Sequence, residues 1–171
     1  MKNKVSVIIP VFNVEKFLEK CLNSVCNQTL KEIEIICIND CSSDSSLNIL
    51  KNFSSKDNRI RLVNFDKNKG VAIARNTAIT LATGEYIGFV DADDWIDLNF
   101  YEKLYSKAKN KDADLAIGNI HIVNEQGNYI NSFVFDNIRK SCFEQKLNFT
   151  QLFWLGLYKK NLIQNHDVNF F

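Results

Sequence analysis

The sequence predicts an α/β fold in which a mostly parallel sheet is flanked by helices. Short, β-branched apolar runs alternate with segments whose apolar residues recur every three or four positions, as in strands and amphipathic helices. The connections are short, and this order of strands and helices places successive strands parallel in one sheet. With 171 residues, one Pro and 6 Gly, residues 1–171 are expected to form a single domain without a flexible linker.

The first strand is predicted at Val5–Ile9, because this run is apolar enough to be covered on both faces. Pro10 is expected to end it. Apolar residues then recur at helical spacing between Val14 and Cys26, which predicts a helix with Asn13 as its N-cap.

The same alternation continues to residue 90. The predicted elements are a strand at Ile33–Ile38, a helix through Leu47, Leu50 and Phe53, a strand at Ile60–Val63, a helix at Gly70–Ala82 closed by Gly84, and a strand at Tyr86–Val90.

Beyond Trp95 the pattern predicts a more irregular second part. The expected elements are a helix from Leu98 to Ala108 capped by Asp97, strands at Asp114–Gly118 and Ile120–Val123, a turn at Gln126–Tyr129 leading to a strand at Phe133–Phe135, and a helical pair between Asn148 and Ile163.

Composition excludes several classes of function. The 21 basic and 20 acidic residues give a net charge of +1, and the basic residues are dispersed, so non-specific binding to nucleic acid is not expected. The five Cys are odd in number and lack C-x-x-C spacing, which indicates free thiols rather than a disulfide framework or a zinc knuckle. No signal-peptide pattern or membrane-spanning apolar run occurs, which predicts a cytoplasmic domain.

Polar side chains follow three of the predicted strands. Asn13, Asp40 and the group Asp91–Asp94 each lie just beyond an apolar run. Because ligands of open parallel sheets bind beyond the carboxyl ends of the strands, these positions are the candidate site.

The group Asp91-Ala92-Asp93-Asp94 has two interpretations. Three carboxylates within four residues repel one another unless a cation compensates them, and Mg²⁺ and Mn²⁺ prefer oxygen ligands shared with a substrate phosphate. The alternative is a solvated acidic turn before the next helix.

The other polar positions also keep two interpretations. Asp40 either accepts hydrogen bonds from a nucleobase or ribose, or bonds the backbone of its own turn. Lys69 and Arg75 flank a predicted helix start near Gly70, where a cation suits a phosphate, but Arg75 is equally able to pair with a surface carboxylate.

Four segments together resemble the family 2 glycosyltransferases. They are Val5–Asn13 (VSVIIPVFN), Ile38–Asp40 (IND), Gly70–Asn76 (GVAIARN) and Gly84–Trp95 (GEYIGFVDADDW). A fainter similarity covers Leu157–Lys160 and Val168–Phe170. The resemblance implies the GT-A fold, with a nucleotide-binding part at residues 1–95 and an acceptor-side part at residues 96–171.

The resemblance also implies roles for individual residues. The segment Pro10, Val11, Phe12 and Asn13 would border the nucleoside and Asp40 would bind the base. Asp91, with Ala92, would contact ribose or phosphate, and Asp93 would hold Mn²⁺ or Mg²⁺. Glu15, Lys69 and Arg75 would line the same site.

The implied reaction moves a sugar with inversion from a nucleotide donor, most often a UDP-sugar, to a glycan or lipid-linked acceptor in cell-surface polysaccharide synthesis. It requires a base for the acceptor hydroxyl, which the family usually carries shortly after the region matching Val168–Phe170. The base is therefore expected beyond Phe171, and the chain is expected to be truncated. A cytoplasmic location is implied, with peripheral association of a longer protein at the inner face of the membrane.

Three alternatives differ from this interpretation. Phosphatases of the haloacid dehalogenase type carry paired aspartates after their first strand, whereas the first strand here leads into Pro10–Asn13. A dinucleotide-binding dehydrogenase would carry G-x-G-x-x-G after that strand, and this sequence does not. The third alternative, a nucleotide-sugar-binding module without turnover, stays open.

Overall fold

The computed structural model describes residues 3–124, 126–133, 138–139, 156–165 and 170. Strands and helices alternate as the sequence predicts. In chain order the elements are β1 (Val5–Val11), α1 (Glu15–Cys26), β2 (Ile33–Asn39), α2 (Ser46–Lys56), β3 (Ile60–Asn64), α3 (Val71–Leu81), β4 (Tyr86–Phe89), α4 (Phe100–Asn110), β5 (Leu115–Ile117), β6 (Ile120–Val123), β7 (Tyr129–Phe133), β8 (Ile138–Arg139), β9 (Gly156–Lys159) and α5 (Lys160–Asn165).

The main sheet has the strand order β3-β2-β1-β4-β9-β5-β8 within the described ranges. Strands β3, β2, β1 and β4 are parallel, so their carboxyl ends meet at one edge. Strand β9 runs antiparallel between β4 and β5. Strands β2 and β3 lie on one side of β1, and β4 lies on its other side. The direction in which strands are added to the sheet therefore reverses at β1, and such a topological switch point opens a crevice at the carboxyl edge of the strands.

Pro10 lies within β1 rather than ending it, and pairs in register with Ile38. Pairing of β1 with β4 stops at Ile8, whose carbonyl accepts from the Val90 N–H. The Val11 carbonyl accepts from Asp40 on the β2 side. The backbone groups of successive residues in a strand point to opposite neighbouring strands, so the Pro10 nitrogen points toward β4. Pairing between β1 and β4 has already ended there, and the missing N–H of Pro10 therefore costs no hydrogen bond of the sheet.

The helices cover both faces of the sheet, which explains the nearly continuous apolar runs of β1 and β2. On one face the core joins the sheet to α1, α2 and α4 through fully buried residues such as Leu22, Leu50 and Tyr101. On the other face, α3 packs against the sheet through Ala74 and Ala78, and α5 packs against it through Ile163. The prediction of an α/β fold with a mostly parallel sheet flanked by helices is confirmed.

Two predicted helix boundaries in the first 90 residues are wrong. Asn13 is not the N-cap of α1, because the helix begins at Glu15 and Asn13 adopts a left-handed conformation with φ 50°. Gly84 does not close α3, which ends at Leu81. A Cβ on Gly84 would lie 2.6 Å from the Ser6 amide nitrogen, so glycine is required there by the close approach of two chain segments.

The second half agrees with the sequence only in part. Strands β5 and β6 occur as predicted. Strand β7 begins at Tyr129, which was expected in a turn, and meets the predicted strand Phe133–Phe135 only at Phe133, because residues 129–133 pair with β6 in a separate two-stranded hairpin. Helix α4 begins at Phe100, two residues later than expected, and Asp97 provides no side-chain cap. The predicted helical pair is wrong at Gly156–Lys159, which forms β9. Residues 134–135 and 148–155 of these predictions lie outside the described residues.

In the parts of the chain that the structure describes, no helix has the length and apolar character needed to cross a bilayer.

Candidate functional site

A cavity of about 500 Å³ opens at the carboxyl edge of the parallel strands. Its walls come from the ends of β1, β2 and β4, from the loop before α3 and from the first turns of α3. The lining residues are Pro10, Val11, Phe12, Val14, Asp40, Asn68, Gly70, Val71, Ala74, Arg75, Asp91, Ala92 and Asp93.

Asp40 is 3% exposed and directs both carboxylate oxygens at the loop before α3. Its Oδ1 accepts from the Lys69 N–H at 2.7 Å and its Oδ2 from the Gly70 N–H at 2.8 Å. These bonds hold the carboxylate in one orientation. Since each carboxylate oxygen can accept more than one hydrogen bond, Asp40 keeps acceptor capacity toward the cavity.

Gly70 fixes the start of α3. Its φ of 89° and ψ of 154° lie in a region that essentially only glycine adopts. The first intrahelical bond runs from Ala74 N–H to the Gly70 carbonyl, so the amides of residues 71–73 precede it. These amides and the helix dipole make this wall of the cavity favourable for an anion.

Arg75 and Asp91 form an ion pair inside the cavity. Arg75 Nη2 lies 2.6 Å from Asp91 Oδ1, and their side chains are 11% and 31% exposed. Partial burial, followed by repulsion from Asp93 and Asp91, raises the pKa of Asp94 to about 6. The ion pair of Asp91 with Arg75 therefore leaves repulsion among the three carboxylates of this group.

The donor set fits a hard divalent cation that shares its coordination with a ligand. Asp91 and Asp93 both line the cavity, and carboxylate oxygens suit Mg²⁺ and Mn²⁺. Within the described ranges no three His, Cys, Asp or Glu side chains are grouped to hold a metal by themselves. A cation here would hence depend on one or two carboxylates together with substrate oxygens, as Mg²⁺ usually does.

Eight of the eleven residues that the sequence singled out line this cavity. They are Pro10, Val11, Phe12, Asp40, Arg75, Asp91, Ala92 and Asp93. Three do not. Asn13 and Glu15 direct their side-chain oxygens at Ser43 N–H and Ser45 N–H of the loop before α2. Lys69 contributes its backbone amide to Asp40, while its Nζ lies 4.2 Å from the Phe65 ring centroid.

Sequence reasoning missed Val14, Asn68, Gly70, Val71 and Ala74 as lining residues. Val71, Ala74 and Arg75 lie on one face of α3, since they have i, i+3 and i+4 spacing. Once Arg75 was a candidate, this helical spacing could have predicted that Val71 and Ala74 line the same cavity. Asn68 lies in a loop, where no periodicity predicts which way a side chain points; its Nδ2 donates to the Asp40 carbonyl at 3.4 Å.

The sequence matches the family model described as Glycosyl transferase family 2 over residues 6–164. The glycosyltransferase GlyA of Streptococcus pneumoniae serotype 4 is 40% identical over 178 residues, which cover 95% of this chain and 25% of that protein. The poly(ribitol-phosphate) beta-glucosyltransferase of Bacillus spizizenii is 36% identical over 173 residues, covering 98% of this chain and 27% of that protein.

Solved structures agree with these relatives. The crystal structure of residues 1–349 of S. aureus TarS in complex with UDP-GlcNAc superposes with a TM-score of 0.79 at 25% identity, covering 97% of this chain and 48% of that one. The chain thus spans about a quarter of the two curated relatives and about half of the TarS chain.

Proposed function

The chain belongs to glycosyl transferase family 2, and we propose that its cavity binds the nucleoside diphosphate of an activated sugar, with UDP as the nucleotide. The observation that carries this proposal is the meeting of Asp40, Arg75, Asp91 and Asp93 in one cavity although they come from separate segments of the chain. The complex of TarS with UDP-GlcNAc supports UDP as the nucleotide.

The nucleoside is assigned to the end of the cavity between Phe12 and Asp40. Phe12 is 50% exposed and offers an aromatic face on which a base can stack. The carboxylate of Asp40 is already oriented by two amides and can accept an N–H from the base. An oriented acceptor loses little freedom when it binds, which favours affinity.

The diphosphate is assigned to the part of the cavity that Arg75, Asp91 and Asp93 line. Arg75 and the helix N-terminus are positive, whereas Asp91 and Asp93 are negative. The two carboxylates would repel a diphosphate unless a divalent cation lay between them, so we propose that Asp91 and Asp93 hold Mg²⁺ or Mn²⁺ together with the diphosphate. When bound, such a cation stabilises negative charge on the leaving diphosphate.

We further propose that the full reaction transfers the sugar with inversion to a glycan or lipid-linked acceptor in cell-surface polysaccharide synthesis, at the cytoplasmic face of the membrane. The similarity to the poly(ribitol-phosphate) beta-glucosyltransferase of B. spizizenii supports an anionic polymer as the acceptor class. Inversion requires a carboxylate that takes the acceptor proton as its oxygen attacks the anomeric carbon from the face opposite the diphosphate.

Calorimetric titration with UDP, with and without Mn²⁺, tests the donor site. We expect binding that depends on the cation and that falls at least tenfold in Asp93→Ala, because that variant removes a metal ligand. Asp97→Ala is the matched control, since Asp97 is a nearby acid that does not line the cavity. Equal losses in both variants, or no binding by the folded wild-type chain, would contradict the proposal.

Turnover distinguishes the enzyme from a binding module. The chain is incubated with UDP-GlcNAc or UDP-glucose, with and without a poly(ribitol-phosphate) acceptor, and released UDP is measured. Acceptor-dependent release that is lost in Asp93→Ala indicates that residues 1–171 transfer the sugar, whereas cation-dependent binding without release indicates that residues 1–171 on their own act as a binding module.

A further inference from the structure

Two loops at the nucleoside end of the cavity are joined by reciprocal hydrogen bonds. The first loop, residues 12–14, links β1 to α1, and the second, residues 40–45, links β2 to α2. The first provides Phe12 and Val14 to the cavity, and the second provides Asp40. The distance between these walls therefore depends on how the two loops are held.

The second loop caps the first helix. The amides of Asn13, Val14 and Glu15 donate to Ser42 Oγ at 3.1 Å, Ser46 Oγ at 3.1 Å and Asp44 Oδ2 at 2.9 Å. Amides at the start of a helix lack intrahelical partners, and side-chain oxygens of this kind satisfy them. Here the capping oxygens come from the neighbouring strand–helix unit.

Side chains of Asn13, in the first loop, and of Glu15, directly after it, in turn accept hydrogen bonds from backbone amides of the second loop. Asn13 Oδ1 accepts from the Ser43 N–H at 2.8 Å, and Glu15 Oε2 accepts from the Ser45 N–H at 2.7 Å. Asp44 accepts in addition from Ser46 N–H at 2.9 Å at the start of α2. Each helix N-terminus thus receives a carboxylate, and the two carboxylates Glu15 and Asp44 bridge the loops in opposite directions.

Backbone strain coincides with this contact. Asn13 directly follows Phe12 and has φ 50°, and Cys41 directly follows Asp40 and has φ 59°. Non-glycine residues adopt this conformation at a cost, and it persists where the surroundings impose it. The two cavity residues are therefore each followed by a strained residue within the hydrogen-bonded pair of loops.

We propose that Asn13 and Glu15 are positioning residues that set the spacing of Phe12 and Asp40, and so the fit of the nucleoside, without touching the nucleotide themselves. This inference rests on the proposed function for its ligand. Phe12 is half exposed and directly precedes residues 13–15, so the hydrogen bonds that hold the backbone of residues 13–15 also fix the position of the Phe12 backbone relative to Asp40.

The variants are chosen to separate the side-chain acceptor from other effects. Glu15→Ala removes the acceptor, Glu15→Gln keeps an oxygen that can accept from Ser45, and Asn13→Gly removes the acceptor while it tolerates φ 50°. Glu19→Ala is the matched control, because it removes an exposed acid one turn further along α1.

The ligands are UDP and inorganic diphosphate, each titrated in the presence of Mg²⁺. In Glu15→Ala and Asn13→Gly we expect UDP affinity to fall about tenfold, because a tenfold loss of affinity is comparable to the net contribution of one hydrogen bond. Diphosphate affinity stays at the wild-type value, because diphosphate does not reach the nucleoside end. Glu15→Gln recovers most of the UDP affinity, and Glu19→Ala behaves as wild type.

Amide hydrogen exchange of the ligand-free chain gives a second readout that needs no nucleotide. Glu15→Ala should accelerate exchange in residues 40–46 and leave β3 unchanged. Unchanged exchange there, or equal losses of UDP and diphosphate affinity, would overturn the positioning role. Failure of the wild-type chain to bind UDP would contradict the proposed function instead, and the exchange result would still decide whether Glu15 holds the second loop.

Discussion

Arg75 and Asp91 illustrate how single residues shape the cavity. The guanidinium of Arg75 is 11% exposed and lies 2.6 Å from Asp91, so removal of either partner leaves the other charge with less solvation than it would have at the surface. In such pairs the cost of removing one partner exceeds the net value of the pair. The two residues are therefore expected to be coupled energetically.

A double-mutant cycle measures that coupling. We expect Arg75→Met and Asp91→Asn each to lower the free energy of unfolding by about 1–2 kcal/mol and the double variant to lower it by at least about 1 kcal/mol less than their sum. Urea unfolding provides the four values. The control is Lys109 with Glu85, 49% and 31% exposed, where the coupling should stay below about 0.5 kcal/mol. Additive effects at Arg75 and Asp91 would contradict this account.

At the scale of elements, one side chain ties α1 to the turn between α2 and β3. Arg59 Nη2 donates to the Cys26 carbonyl at the end of α1, at 2.7 Å, and to Asp57 Oδ2 at 2.6 Å. A cation at a helix C-terminus is favourable. Hydrogen bonding from Arg59 is the main cause that lowers the pKa of the Asp57 carboxyl below its usual value, against the effect of burial.

This contact predicts a pH dependence. Because the folded-state pKa of Asp57 is lowered, the ionised carboxylate stabilises the fold above its unfolded pKa of about 3.9, and this contribution is lost as pH falls through the lower folded-state pKa. We expect Asp57→Asn to reduce the free energy of unfolding by about 1 kcal/mol between pH 5 and 8.

The difference between wild type and Asp57→Asn should then shrink below pH 4. Urea unfolding of both proteins between pH 3 and 8 checks it, with exposed Asp66 replaced by Asn as the control. A difference that is the same at pH 3 and pH 7 would show that the charge of Asp57 is not what matters.

The sequence predicted elements where the information is local. Residues 5–90 alternate between two periodicities, and each strand or helix there was found within a few residues of its predicted place. Asn13 failed as an N-cap because the oxygens that cap α1 come from Ser42, Asp44 and Ser46, some 30 residues further along. The prediction of a helix at the position of β9 was wrong, because a short apolar run does not distinguish a strand from a helix and the partner strands β4 and β5 are distant in sequence.

At the scale of the whole molecule, the position of the candidate cavity was predictable from the sequence, and the orientation of its side chains was not. The topological rule that ligands bind beyond parallel strand ends brought Asp40 and Asp91 together correctly. Which way each side chain points depends on neighbours that the fold supplies: Glu15 turns to Ser45, and Asn68 turns to Asp40. Sequence patterns identify an edge of the sheet, whereas tertiary hydrogen bonds select the residues that face the cavity.

Among the described residues, a long-range contact near the cavity joins α3 to Phe170. Asn76 Nδ2 donates to the Phe170 carbonyl and Asn76 Oδ1 accepts from the Phe170 N–H, both at 3.0 Å across 94 positions of sequence. The Phe170 ring lies 5.5 Å from that of Phe89 and 5.4 Å from the Arg75 guanidinium carbon. Through these contacts Phe170 reaches Arg75, the residue that pairs with Asp91.

Asn76→Ala removes both hydrogen bonds to Phe170 and leaves its aromatic contacts. We expect exchange of the Phe170 amide hydrogen to accelerate about tenfold or more, because its acceptor is lost, while amides in β2 keep their protection. Asn76→Asp keeps an acceptor for that amide and should give an intermediate rate.

Because Phe170 also packs on Arg75, UDP affinity should fall a few-fold in Asn76→Ala and further in Asn76→Ala combined with Phe170→Leu. Normal Phe170 exchange in Asn76→Ala would mean that ring packing alone anchors this residue, and a normal UDP affinity in the double variant would mean that Arg75 is held by Asp91 without help from the end of the chain.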